Sequence, residues 1–413
     1  MGRPSWHCRR RMPHLQGGSQ AMRPKERIAA AFEGGATDRV PVHHIGTCSQ
    51  VASALLGREA YVGGGIQQFR EAVAWWQGEQ AHADFVERSF QDALAVARLF
   101  EDDVIRPSYW RYNVKPTKRL DENTFLYEYG EESQWQVLRF DPPSEQCNTF
   151  PYAPQREATF EEIERQIEAQ EKAIGDHRPS EQSFEFEIRA QRLLGREYAV
   201  RVGGVGVSLP ITESSIWFEA LLLRPDLCAR HLDLQVARAC CNVAFLAERG
   251  FRYFFGGGDF ASNQGPMYSP RHFRELVAPR LKQVSDICHQ HGGYHLFASD
   301  GDLWPVADEL FRDAEIDGFY EIDRRAGMDL RRLHDRYPRL TLIGNISSHT
   351  LHLGTKEEIV REVEGAVREA KRFGRTVVGV SNYFVPGTPV SNVELVLETI
   401  RRLRSLLNHG LLP

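Results

Sequence analysis

The feature that most constrains this chain is an alternation. Short β-rich runs recur along it, mostly separated by stretches of helical periodicity. The runs are 40–45, 104–109, 198–207, 253–255, 294–297, 318–322, 340–343 and 376–380. Parallel strands need a long crossover, usually a helix, and that crossover is right-handed. Eight such units close naturally on themselves, so the pattern predicts an α/β fold, a (β/α)8 TIM barrel. A length of 413 residues would allow two or three ordinary domains. A barrel carrying an insertion takes up the same length as one domain.

One region breaks the rhythm. Residues 124–140 read as a β-hairpin with Gly130 and its acidic neighbours at the turn, and 161–173 as a charged helix. The barrel is therefore expected to carry an inserted hairpin and helix segment over about 120–196. Ahead of the first strand, 23–32 reads as a short helix with Ile28 and Phe32 four apart, stopped by Gly34 and Gly35. Residues 1–21 contain Arg9, Arg10 and Arg11 with no apolar run after them, which reads as a disordered leader rather than a secretory signal. The organised domain is then 22–413.

Several function classes are disfavoured. The net charge is −5 and Lys and Arg are dispersed, so no basic stripe offers itself to nucleic acid. No apolar run approaches the roughly 18 residues of a membrane span. The seven cysteines include no C-x-x-C pair, which fits a reduced, cytoplasmic setting and no zinc ribbon. The glycines at 256–258 do not form a G-x-G-x-x-G that opens a helix, so no NAD site is expected.

In a parallel barrel, chemistry gathers where strands end and the following loops begin. The second half of the chain places polar residues at those points, strand after strand: Asp259, Asp300, Glu321 with Asp323, Asn345, and Ser381 with Asn382. Each alone also suits a helix cap or turn; the ordered series points to a site. Asp300 is the foremost candidate. Strand alternation puts Leu296, Ala298 and Asp300 on one face and His295, Phe297 and Ser299 on the other. His295 is thus expected between barrel and helices. Of His43 and His44, neighbours on the first strand, one can face the mouth, as a metal ligand or general base. The expected catalytic residues are Asp300, Asp259 and Asp323. Expected to bind substrate are His43, Asn345, Ser381, Asn382 and Arg106, and to bind a metal, Asp300 and Glu321.

The order of these segments resembles the uroporphyrinogen decarboxylase-like superfamily, which includes cobalamin-dependent methyltransferases. The segments that carry the resemblance are RIAAAFEGGATDRVPV (27–42), GGDFASNQGPMYSPRHFRELVAP (257–279), HGGYHLFASDGDL (291–303), AGMD (326–329), GNI (344–346) and VSNYFVPGTPVSN (380–392). The resemblance implies the same barrel and one of two chemistries: metal-free decarboxylation of a tetrapyrrole, or zinc-assisted methyl transfer between a corrinoid and a second substrate. The chain departs from both. The zinc methyltransferases carry His-x-Cys where it has Ala298-Ser299-Asp300, and a later cysteine of theirs falls among Val380, Ser381 and Asn382. The decarboxylases carry an arginine pair where it has Gly46 and Gln50, and a catalytic aspartate near Ile105-Arg106-Pro107-Ser108. The first expectation is methyl transfer with a corrinoid-protein partner, a small-molecule substrate and a divalent metal such as zinc held by carboxylates, in a homodimer. The alternatives are a decarboxylase acting on a porphyrinogen or smaller carboxylate, with Arg106, Arg111 or Arg201 as the clamp, and a non-catalytic tetrapyrrole- or partner-binding barrel.

Overall fold

A computed structural model describes residues 21–404 except 154–156 and 213. The expected leader therefore lies outside the described residues, Ala21 apart. Seven parallel strands form one curled sheet: β1 (Val104–Ile105), β2 (Ala199–Val202), β3 (Tyr253–Gly257), β4 (Tyr294–Ala298), β5 (Gly318–Glu321), β6 (Thr341–Ile346) and β7 (Thr376–Val380), each paired with its neighbours in sequence.

The eighth stave is the extended segment around Val42, which closes the barrel by an unusual ladder. On one side it pairs with β7: His43 N donates to Val378 O at 3.0 Å and Val378 N to Pro41 O at 2.9 Å. On the other side, two side chains replace backbone acceptors. Asp103 N donates to Val42 O at 2.7 Å, Val42 N donates to Asp103 Oδ2 at 2.9 Å, and His44 N donates to Asp102 Oδ1 at 2.9 Å. Gly379 permits this approach, because a Cβ there would lie 1.8 Å from His43 O. Two of the expected strands prove shorter than read. Residues 106–109 and 203–207 leave the sheet as loops at the mouth.

Alternation sorts the side chains. Ala199, Tyr253, Leu296, Ala298, Tyr320, Ile343 and Val377 form the barrel interior, while Val200, Phe254, Phe297, Phe319 and Leu342 pack outward against the helices. The helix Pro24–Glu33 plugs the bottom with Ile28 and Phe32, whose ring lies 5.3 Å from that of Tyr253 and 4.7 Å from that of Tyr294. Burying a side chain of this size stabilises the fold by about 1.5–3 kcal/mol. Arg27 on the same helix pairs with buried Asp103 and, at 2.7 Å, with Asp38, so one carboxylate ties the plug to the closing stave.

The inserted segment is a four-stranded antiparallel sheet, Lys118–Arg119, Thr124–Tyr127, Gln136–Asp141 and Gln146–Pro151, followed by the helix Phe160–Ile174. Phe140 of this sheet stacks on Phe69 at 4.5 Å, in the helix Gly65–Gln77. Glu145 accepts from Ser49 N at 2.7 Å and Gln50 N at 2.8 Å, satisfying the first turn of the helix Ser49–Leu56. No described helix is long and apolar enough to cross a membrane. The six described cysteines are all free thiols.

Candidate active site

Three carboxylates meet at the C-terminal mouth. Asp259 follows β3, Asp300 follows β4 and Glu321 ends β5, and each offers an oxygen within 4.8 Å of the others. Asp300 N donates to Asp259 Oδ1 at 3.3 Å, and Asn382 Nδ2 donates to Asp300 Oδ2 at 2.9 Å. Burial, then the charges of Asp259 and Asp323, push the Asp300 carboxyl up to about 6, against the Asn382 hydrogen bond that favours the ionised form. Burial, then the charges of Asp300 and Asp259, hold Glu321 well above the carboxylate range, and its Oε2 has no hydrogen-bond partner among the described residues.

Regular alternation would turn Glu321 outward, because Tyr320 points inward. A tight turn reverses it: Ile322 N donates back to Tyr320 O at 3.0 Å with Glu321 at φ 75° and Ile322 at φ 49°. An i to i+2 bond around a non-glycine residue of positive φ is a strained γ-type turn. Asn345, at the end of the adjacent strand, is also left-handed at φ 91°. The strain thus gathers at the mouth beside the carboxylates.

Beneath the carboxylates lies a polar floor. Arg201 of β2 points inward, its guanidinium over the rings of Phe255 at 4.0 Å and Tyr320 at 5.3 Å. His43 faces inward as well, 3.6 Å from Asp102 and edge-on to Tyr320. Burial, then Arg201, holds His43 well below the usual histidine range, so it is neutral. Arg106 donates to Ile45 O at 2.7 Å and Ser108 O at 3.0 Å, under the rings of Tyr109 and Tyr383.

The expected site residues separate into groups. Asp259, Asp300, Glu321 and Asn382 come together. His43 and Arg106 belong to the floor. Asp323 does not join the triad directly: its Oδ1 accepts from Arg325 N at 2.9 Å and Ala326 N at 3.2 Å, as a turn cap, and its charge acts on Asp300 from there. Ser381 continues the sheet edge, its N donating to Ile346 O at 2.8 Å. His44 and His295 point away from the mouth: His44 Nδ1 accepts from Val380 N at 3.2 Å, and His295 Nδ1 meets Ser285 Oγ at 2.9 Å. The glycines at 256–258 serve close packing, since Cβ atoms there would lie 2.9 Å from Val205 O, 2.2 Å from Ala298 O and 2.5 Å from Ser208 Cβ. Arg111 is engaged elsewhere, by buried Glu71. Gly46 has Tyr383 and Arg106 where its side chain would be, at 2.5 Å and 2.9 Å from an ideal Cβ, so no arginine fits at that position.

Sequence reasoning missed Tyr320, Tyr383 and Asp102, and rated Arg201 only as a clamp of the second reading. A signal was present for Arg201. An arginine inside an apolar strand, two residues from inward Ala199, must face the same interior.

The three carboxylates supply oxygen donors only. The described cysteines lie elsewhere, so the set does not fit a thiolate zinc centre; it fits a hard divalent cation such as Mg2+ or Mn2+.

Comparison with known proteins agrees with this architecture. Residues 258–403 match the sequence model of the uroporphyrinogen decarboxylase (URO-D) family. No curated protein matches the sequence. Among solved structures, a methyltransferase from Methanosarcina mazei aligns over 92% of this chain and 99% of its own, at 17% identity and a TM-score of 0.58, and so shares the fold. The matched region begins one residue before Asp259 and contains all three carboxylates. Over residues 258–403 the chain is thus similar to the uroporphyrinogen decarboxylase-like superfamily, and over nearly its whole length it shares the fold of a methyltransferase.

Proposed function

We propose that this protein is an enzyme of that superfamily that transfers a methyl or other one-carbon group at the barrel mouth, with a corrinoid-carrying protein as partner. The observation that carries the reading is the convergence of Asp259, Asp300 and Glu321 from three successive strands, with a buried oxygen of Glu321 left without a partner. Asp300 stands where the superfamily's zinc methyltransferases carry a thiolate ligand, so a carboxylate centre takes over that position. The cation would supply a Lewis acid for the group being transferred. The chain's own part is to orient and desolvate: Asn382 holds the Asp300 carboxylate, and the γ-type turn aims Glu321. The methyltransferase fold of the Methanosarcina mazei protein supports the reading as an analogy of fold.

The test is elemental mass spectrometry of untagged protein, alongside methyl transfer to or from a corrinoid protein. Near-stoichiometric Mg2+ or Mn2+ that is lost in Asp300→Asn, together with loss of transfer, is expected. Full transfer activity in Asp300→Asn would overturn the assignment.

One observation favours a second reading, decarboxylation of a small carboxylate. Arg106 and Arg201 lie close together at the barrel mouth with no carboxylate within 4.0 Å among the described residues; Arg106 already donates to Ile45 O and Ser108 O, and the charge of both remains to clamp a carboxylate. Metal-independent release of CO2 would mark that reading.

A further inference from the structure

Arg201 presents a physical problem. It is buried, its Nη1 has no hydrogen-bond partner, and no carboxylate oxygen among the described residues lies within 4.0 Å of it. Taking a guanidinium out of water without a partner costs several kcal/mol. Three acids act on it at longer range, Asp102, Glu321 and Glu187, none of them within 4.0 Å. A second guanidinium, Arg106, lies close enough to oppose its protonation. Around the pair, Tyr320 Oη, Tyr383 Oη and both ring nitrogens of His43 are buried without a well-formed hydrogen bond, Tyr320 Oη lying beside Arg201, Tyr383 Oη beside Arg106 and His43 Nδ1 3.6 Å from Asp102. Two cations and three polar groups able to donate thus converge at the mouth; Arg106 meets the carbonyls of Ile45 and Ser108, and no carboxylate among the described residues lies within 4.0 Å of either guanidinium.

We infer that this floor is an anion subsite, formed by Arg201, Arg106, His43, Tyr320 and Tyr383, that binds the carboxylate of a small substrate and holds its reacting end at the Asp259–Asp300–Glu321 centre. A planar carboxylate matches a guanidinium fork, and two tyrosine hydroxyls and a neutral imidazole complete its lone pairs. The scale follows from the strand. Tyr320 and Glu321 are consecutive, and a strand rises about 3.3 Å per residue. Floor and centre are therefore only a few bonds apart along a ligand. The rings of Phe255 and Tyr320 wall the floor, so the head group is small and no macrocycle enters it. The inference rests on the mouth being the reaction site and names the substrate class for either chemistry there.

The experiment uses acetate as the probe, at constant ionic strength against chloride, with binding followed by thermal shift and by line broadening of labelled acetate. Wild-type protein is expected to bind acetate in preference to chloride and phosphate. Arg201→Met is expected to weaken binding by about tenfold or more, and Tyr320→Phe and Tyr383→Phe, which keep the rings, by about three- to tenfold each. Asp300→Asn is expected to keep acetate binding while losing the cation, so failure of the centre and failure of the subsite read differently. Equal acetate binding in wild type, Arg201→Met and both tyrosine variants would overturn the subsite. Preference for tetrahedral phosphate would overturn the carboxylate assignment.

Discussion

Asn382, in the loop after the last barrel strand, donates its Nδ2 hydrogen to Asp300 Oδ2 at 2.9 Å, linking the end of the sheet to its middle. The bond favours the ionised carboxylate and opposes the burial and the neighbouring charges that push Asp300 up to about 6. Asn382→Ala is therefore expected to raise Asp300 further. Cation binding requires the carboxylate, so its decline on acidification should begin at a higher pH in the variant. Titration of Mn2+ binding from pH 5 to 8 measures this; coincident curves would remove the role assigned to Asn382.

Asp300 also makes a stability prediction with a definite sign. An acid whose folded-state value lies above its unfolded one binds extra protons when folded, so stability falls as pH rises from about 4 through about 6. In metal-free protein at pH 7.5, Asp300→Asn should stabilise the fold by about 1–2 kcal/mol, solvent screening allowed for, and the gain should vanish below about pH 4. Saturating cation reverses the order, because it stabilises wild type by about 2.7 kcal/mol at a hundredfold excess over Kd. Urea denaturation with EDTA and with Mg2+ or Mn2+ tests both halves.

The closing stave rests on Asp103, which takes Val42 N at 2.9 Å and pairs with Arg27. Asp103→Ala leaves the Val42 amide unbonded and takes from the buried Arg27 guanidinium one of its two carboxylate partners, Asp38 remaining. A loss of about 3–5 kcal/mol is expected in equilibrium unfolding. A loss under 1 kcal/mol would mean that the ladder closes without it.

Gly379→Ala should be as severe by a different route, since the added Cβ would fall 1.8 Å from backbone His43 O, which cannot rotate aside. The expected loss is at least about 3 kcal/mol, with β7 and the Val42 segment losing amide protection first in hydrogen exchange.

His289 bonds to Asp317 at 2.8 Å on the outer, lower side of the barrel, and that bond raises its protonation above the usual value. A raised histidine contributes stability that is fully present below about 6.5 and is lost as pH rises through its folded-state value. His289→Asn should therefore cost more at pH 5.5 than at pH 8.5. An equal cost at both would show that the pair carries no pH-dependent stability.

Much of this protein was legible before folding. The strand–helix alternation carries the barrel, because a parallel sheet with helical crossovers has few ways to bury both faces. Period-two alternation puts Asp300 on the inner face and His295 on the outer, and the positions after β3 and β4 locate Asp259 and Asp300, because loops at that end are where a barrel leaves side chains unpacked. Two things were decided only in three dimensions. Glu321 breaks alternation, as its left-handed turn depends on packing that no local pattern encodes. The floor joins His43, Arg106, Arg201, Tyr320 and Tyr383, which are distant in sequence; His43, Arg106 and Arg201 stand out there as separate candidates, and Tyr320 and Tyr383 look like ordinary strand or loop residues. Only barrel closure brings them together, and only burial converts unremarkable side chains into unpaired donors, because the cost of an unmet charge or hydroxyl arises when water is removed.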